Sequence, residues 1–507
     1  METWLRECES NHTLCTPPDV KPPKRLIEVG SAKSLPRILD TSSKFEEHWR
    51  YATLSHCWGD YRPLTLTIEN ESSFMKEIPW HLLPHTFREA LEITRAVGIP
   101  YLWIDSLCIA QDDELEWQQE AVRMRDVYSG STLAICASDA SNSLGGCFLQ
   151  RDEKSKRPKS DDLIQFSIVL PNEGVTLPVR IQPNDVRLRR EKGPLATRGW
   201  TLQEQLLPNR VLYCTRPETQ WQCRGCHQTE AGVLFDEDTP SKHHGLKAFY
   251  LLGPPAELHK AWCQWMEDYS QRTLTFPRDR FAALAGIVQQ YAERSNHKHL
   301  LGSWEETLLK DLLWIRCGEV EELPNMLPGV PSWSWLSRCK WVSFDIWARA
   351  RSLKESDIQG HAEVVEVNVS WTGIPLLSDI EHTHLVLRGP VRVFKLRISP
   401  LATDYNPPYL DVNDEQPDFS EDPIPWRCAG QFDSGGCEDS VAYTCFLMQS
   451  SRLVRADSTI CIKETFLILQ PSSVDGSTNT YRRVGLGHFR FGASHFEGAC
   501  QKEITII

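Results

Sequence analysis

Apolar positions in the first third of the chain switch between strand-like runs and helix-like stripes. Tyr51–Cys57 (YATLSHC) is a short β-compatible run, closed as a turn by Trp58, Gly59 and Asp60. Phe87, Ala90, Leu91, Thr94 and Val97 then recur on one helical face. Thr86 and Glu89 stand at capping-box spacing, and Gly98 supplies the C-terminal stop. Tyr101–Asp105 (YLWID) is almost wholly apolar, as a strand buried on both faces would be. Asp112 and Asp113 precede a second helix, whose Trp117, Ala121, Met124 and Tyr128 form one stripe. A third apolar run, Thr132–Ala137, completes the order strand, helix, strand, helix, strand. That order predicts an α/β fold with a mainly parallel sheet over roughly residues 45–145.

The pattern changes twice more. Leu258, Trp262, Trp265 and Tyr269 make one helical stripe, and Phe281, Leu284, Ala285 and Val288 make another. Ser303 and Glu306 are spaced to cap a third helix bearing Trp304, Leu308, Leu312 and Ile315. Beyond about residue 350, short alternating strands such as His384–Leu387 and Phe466–Leu469 lie between turn-forming clusters, which predicts an antiparallel β region. Proline-rich residues 16–24 read as an extended lead-in, and the charged residues 151–162 as a surface loop. The expected division is an N-terminal extension (1–23), an α/β domain (24–235), a helical region packed on it (236–345) and a β-rich C-terminal domain (346–507).

Charge narrows the function. Lys and Arg total 55 against 68 Asp and Glu, a formal net charge of -13, so nucleic acid is not the expected partner. Met1–Cys15 lacks the apolar core of a signal peptide, and no apolar run is long enough to span a bilayer. A cytoplasmic, reducing location is the resulting expectation, with the 17 cysteines as thiols.

Three separated segments stand out: YATLSHCWG from Tyr51, YLWIDSLCIAQDD from Tyr101 with Trp117, Glu120, Met124 and Tyr128 beyond it, and RGWTLQEQLLPNRVLYC from Arg198, followed by Trp221 and Cys223. Together, in this order, they resemble the heterokaryon incompatibility (HET) family of filamentous fungi. YSQRTLTFPRDRFAALAGI at 269–287 and PSWSW at 331–335 are similar to the region C-terminal to the domain in many members. The resemblance implies an effector of vegetative incompatibility and programmed cell death. Its partner would be another protein or an incompatible allele product, with homo-oligomerisation on activation. HET domains have been related to TIR domains, some of which cleave NAD, so the implied fold is TIR/flavodoxin-like.

Within that resemblance, Trp117-x-x-Glu120 is similar to the TIR segment that carries the glutamate of NAD cleavage. A carboxylate there could stabilise the oxocarbenium-like charge that builds on ribose. A salt-bridged glutamate on an amphipathic helix is the plainer reading. Asp105 stands at the carboxyl end of a central strand, where open α/β sheets place ligands, or it caps the loop beyond. Glu204 could be a second carboxylate and Arg198 a phosphate grip, or the two could form an ion pair. Trp58, Gly59 and Trp103 complete the candidate substrate-binding set, although core packing is the default for large aromatics.

Cys57 and Cys108 lie in apolar runs and read as inert thiols. His56 and Cys57, as strand neighbours, should face opposite ways. Cys214, Cys223, Cys226 and His227 hold part of a zinc-like spacing without a recognisable second pair. No phosphate-binding or dinucleotide-binding glycine motif is present, so no cofactor is expected and NAD would enter as substrate. Two other functions compete: a non-enzymatic scaffold that recruits a death partner, and an accessory protein of a metabolic gene cluster.

Overall fold

A computed structural model describes residues 1–31, 33–43, 48–59, 64–149, 164–169, 176–181, 193–216, 218–230, 255–317, 327, 329–337, 341–344, 358–398, 410–412, 428–433, 441–454, 460–472, 479–489 and 494–507. The expected loop at 151–162 lies outside them. The chain divides into two compact units, Met1–Pro254 with Ala282–Gln290, and Pro255–Phe281 with Tyr291–Ile507.

The first unit opens with helix α1 (Glu2–Asn11) and the single turn Thr13–Cys15, and runs through a lead-in without helix or strand to strands β1 (Arg25–Glu28), β2 (Arg37–Asp40) and β3 (Tyr51–Ser55). Helices α2 (Glu71–Phe74) and α3 (His85–Ala96) lead to β4 (Tyr101–Trp103). Then come α4 (Asp105–Cys108), α5 (Glu114–Ser129) and β5 (Leu133–Cys136). Among the described residues β6 (Ile164–Val169) and β7 (Thr176–Ile181) pair with each other, and α6 (Thr201–Leu206) precedes β8 (Arg210–Cys214), β9 (Thr219–Cys223) and β10 (His227–Thr229).

The eight-stranded sheet has the order β10-β9-β8-β5-β3-β4-β1-β2. β8, β5, β3 and β4 are mutually parallel, whereas β1–β2 and β9–β10 add antiparallel strands at the two edges. Over residues 45–145 the expected parallel strands β3, β4 and β5 are present, but across the whole domain the sheet is mixed where a mainly parallel one was expected. The edge strands succeed one another through connections too short for a parallel crossover, which needs a dozen or more residues. The chain leaves β3 for β4, then returns past β3 to β5 and on to β8, so its winding reverses between β3 and β5.

Why these residues form these elements is visible at α3 and α5. Phe87, Ala90, Leu91 and Thr94 are buried as one stripe, and Gly98 ends α3 with φ of 71°. The capping box does not form. Pro84 precedes the helix, the Thr86 hydroxyl accepts from the Gly146 amide at 3.0 Å, and Glu89 accepts from the Phe148 amide at 2.9 Å. Tertiary partners have taken both side chains from the helix end. At α5, Asp113 caps as expected, accepting from the Glu116 amide at 3.0 Å, while Asp112 takes the Ile68 amide.

The second unit carries helices Pro255–Ser270 and, in part, Asp279–Ser295, on which Leu258, Trp262, Trp265 and Tyr269 are buried together. The expected third helix is a single turn, Leu308–Asp311, because Ser303–Trp304 pairs as a strand with His299–Leu300. The β region is antiparallel apart from a short pairing of Thr480–Phe489 with Cys500–Ile506. Its strands are longer than expected, Ile380–Ile398 reaching 19 residues. That strand pairs with both Cys500–Ile506 and Val441–Val454, which closes five strands into a ring and removes their free edges. Among the described residues no helix is long and apolar enough to cross a membrane.

Candidate functional site

A polar cluster gathers at the carboxyl ends of β3 and β4, and its Ser55 lies opposite Cys136 of β5, at the β3–β5 reversal where open α/β sheets bind ligands. β3 ends at Ser55 and the chain continues as His56, Cys57 and Trp58. The His56 ring packs edge-on against Phe87 of α3 at 5.0 Å. Cys57 packs with Ala134, Cys136, Leu195, Val211 and Tyr213. Adjacent residues thus point to opposite sides, as expected, and no Cys–His dyad forms between them. The Trp58 indole N–H donates to Asp105 Oδ2 at 3.0 Å, and Asp105 Oδ1 accepts from the Ser106 amide at 2.7 Å. Asp105 therefore both opens α4 and ties the loop after β3 to the loop after β4.

Glu204 enters from α6. Its carboxyl is buried, accepts the Ser55 hydroxyl and is hydrogen-bonded to Tyr128 of α5. Burial pushes the Glu204 pKa up to about 7. The Ser55 bond, the Arg198 charge and Tyr128 oppose that rise, and the negative charge of Asp105 adds to it. Arg198 donates to the His56 carbonyl at 3.3 Å. His56 is driven down to about 4, first by burial and then by the Arg198 charge against the pull of Asp105, so its ring is neutral at pH 7. Ser55 and Tyr128 belong to this cluster without standing among the candidates that sequence reasoning nominates. Tyr128 stands in the sequence as part of a buried stripe and Ser55 inside the YATLSHCWG segment, and neither spacing nor residue type marks them there as polar partners of Glu204.

The structure therefore brings Trp58, Asp105, Arg198 and Glu204 together. Trp103 is fully buried below them, its ring edge-on to Tyr128 at 5.7 Å, in a core role. Gly59 turns the chain after Trp58 with φ of 65°, and a Cβ there would stand 2.5 Å from the Asn142 side chain. Glu120 has other company. It is buried on α5 and bonded to Arg123 at 3.1 Å, and Arg123 also reaches the carbonyls of Lys21 and Pro22 in the lead-in. Burial raises the Glu120 pKa and Arg123 opposes the rise. One turn earlier, Glu116 binds Arg25 of β1 and Lys24, so this end of α5 fastens the lead-in to the sheet.

The cysteine set regroups. Cys214 lies opposite Thr219, at the far end of the ladder from Cys223, and packs with Cys147. His227 pairs with Gln222, and directly paired residues share a face, so its ring is on the side away from Cys223. The expected foursome does not converge. Cys223 instead meets Cys8, His12 and Cys15, with ligand atoms all within 4.8 Å of one another.

A family model described as Heterokaryon incompatibility protein (HET) matches residues 51–204. The match begins at the first residue of β3 and ends at Glu204, so it spans the whole polar cluster. No curated protein and no solved structure matches the chain.

Proposed function

With residues 51–204 forming a HET domain, we propose that this chain is an effector of heterokaryon incompatibility whose working centre is the cluster at the ends of β3 and β4, and that it kills by cleaving NAD. The observation that carries the proposal is the Glu204 carboxyl. It sits beside Asp105 and Arg198 at the winding reversal with a pKa near 7.

A carboxyl that titrates near neutrality can serve as acid or base at working pH. In NAD cleavage the bond between nicotinamide and ribose C1′ breaks, nicotinamide leaves with the bonding pair, and C1′ carries oxocarbenium-like charge. Water adds to C1′ and gives up its proton. Glu204 is the carboxylate assigned to that charge and proton, Asp105 is assigned to the ribose side with Trp58 bonded to it, and Arg198 offers a guanidinium to the pyrophosphate. Glu204 is favoured over Glu120 because Asp105 and Arg198 surround the former and Arg123 engages the latter. The resemblance to TIR domains supports the same chemistry as analogy alone.

A second reading rests on a different observation. Glu204 is bonded inside the fold, to Ser55 and Tyr128, which suits a carboxyl that shapes the domain for assembly with a death partner. Induced expression in a filamentous fungus separates the two. The proposal expects hyphal death with a fall in cellular NAD, both abolished by Glu204→Gln at unchanged protein level and melting temperature. Death without NAD loss, insensitive to that substitution, would favour assembly.

A further inference from the structure

We propose that Cys8, His12, Cys15 and Cys223 form a zinc site that fastens the N-terminal helix to the β9–β10 hairpin. The four ligand atoms lie within 4.8 Å of one another, and all but His12 are buried. Three sulfurs and one imidazole nitrogen converging at this range make the donor set of a closed, four-coordinate structural zinc.

Each donor is held by ordinary local structure. Cys8 lies in the last turn of α1 and His12 follows that helix as its cap, its amide donating to the Cys8 carbonyl at 3.0 Å. The chain then tightens into the turn Thr13–Cys15, which brings Cys15 back beside them. Cys223 ends β9, and the amides of Gly225 and Cys226 both donate to its sulfur, at 3.4 and 3.3 Å. Such a turn, folding its amides onto a sulfur, stabilises the thiolate that a metal requires. Gly225 is needed for the approach, because a Cβ there would stand 2.9 Å from the His12 ring.

The surroundings fit a thiolate site. Arg210 Nε donates to the Cys8 sulfur at 3.2 Å, setting a positive charge against three thiolates that outweigh one dication. Trp4, four residues before Cys8, and Trp221, two before Cys223, have ring centroids 6.3 Å apart. Cys226 is a fifth sulfur, 3.5 Å from that of Cys223, and lies at the rim. Cys8, His12 and Cys15 precede the matched segment 51–204 and Cys223 lies beyond it, so the ion would clasp the domain from outside that segment.

The test uses the full chain, purified with reductant and zinc and then desalted. Metal analysis should find about one zinc per chain. Exchange with cobalt(II) should give thiolate charge-transfer bands and the intense visible bands of a tetrahedral ion. Cys223→Ser and Cys15→Ser should lose the metal, while Cys226→Ser and Cys214→Ser should keep it. A folded wild-type chain that takes up no zinc under these conditions overturns the proposal without reliance on any variant. A Cys223–Cys226 disulfide persisting in reductant overturns it too. Metal kept in His12→Ala but lost in Cys226→Ser overturns the ligand set in favour of four thiolates.

Discussion

The indole of Trp58 donates to the carboxylate of Asp105 at 3.0 Å, joining the loop after β3 to the loop after β4. A hydrogen bond to a charged group contributes about 1.5–3 kcal/mol. Trp58→Phe keeps most of the ring and removes the donor. It should lower the unfolding free energy by about that amount, read as a lower urea midpoint at unchanged slope.

Glu204 gives the domain a pH signature. Its folded pKa, near 7, lies above the ordinary 4.5, so the unfolded chain loses this proton first as pH rises. Its contribution to stability is complete below pH 4.5 and is lost as pH climbs through about 7. Glu204→Gln has no such loss. Relative to wild type, the variant should gain roughly 3 kcal/mol between pH 4.5 and pH 7.5, measured by urea unfolding at each pH. His56 has the opposite sign. Its folded pKa near 4 lies below 6.5, so its contribution is present above pH 6.5 and is lost as pH falls through about 4.

Arg25 and Glu116 form a buried ion pair that joins β1 to α5, with Glu71 at 2.6 Å on the other side of the guanidinium. Burial pushes the Glu116 carboxyl up, but the bonds from Arg25 and Lys24 outweigh it and hold the pKa at about 2. Glu71 keeps one side of Arg25 paired when Glu116 is removed, so Glu116→Ala should cost less than the about 3–5 kcal/mol of a fully stranded buried charge, but more than about 1 kcal/mol. The exposed pair Arg37–Glu28 should be worth under about 1 kcal/mol in the same denaturation assay.

In the second unit, Arg483 is fully buried and its guanidinium is spoken for on three sides. Nε reaches Asp433 at 3.0 Å, and the two terminal nitrogens reach the Leu312 and Trp314 carbonyls, each at 2.6 Å. Lysine cannot reproduce that fork. Arg483→Lys should destabilise by about 2–4 kcal/mol, seen as an earlier melting transition.

Much of the fold is legible in the sequence where a side chain's task is local. The stripe Phe87–Thr94, the stop at Gly98, the cap at Asp113 and the strand runs at Tyr51 and Tyr101 all derive from spacing, and all are present. The expectations that failed depend on distant partners. Thr86 and Glu89 have capping-box spacing but are claimed by Gly146 and Phe148, and Ser303 is claimed by a strand partner. Of the site, Asp105, Arg198 and Glu204 can be nominated from their segments. Ser55 cannot, because its role comes from a residue 149 positions away. The sulfur cluster is half visible at Cys223 and Cys226, while its other half stands more than two hundred residues earlier.

The central claim, that Glu204 is the working carboxyl of an NAD-cleaving domain, is tested most directly by nicotinamide release from NAD. The assay uses the purified chain beside Glu204→Gln and Glu120→Gln variants of unchanged melting temperature. The prediction is release by wild type and by Glu120→Gln, with a loss of about a hundredfold or more in Glu204→Gln. Release that survives Glu204→Gln, or none from a folded and assembled wild-type sample, would contradict it.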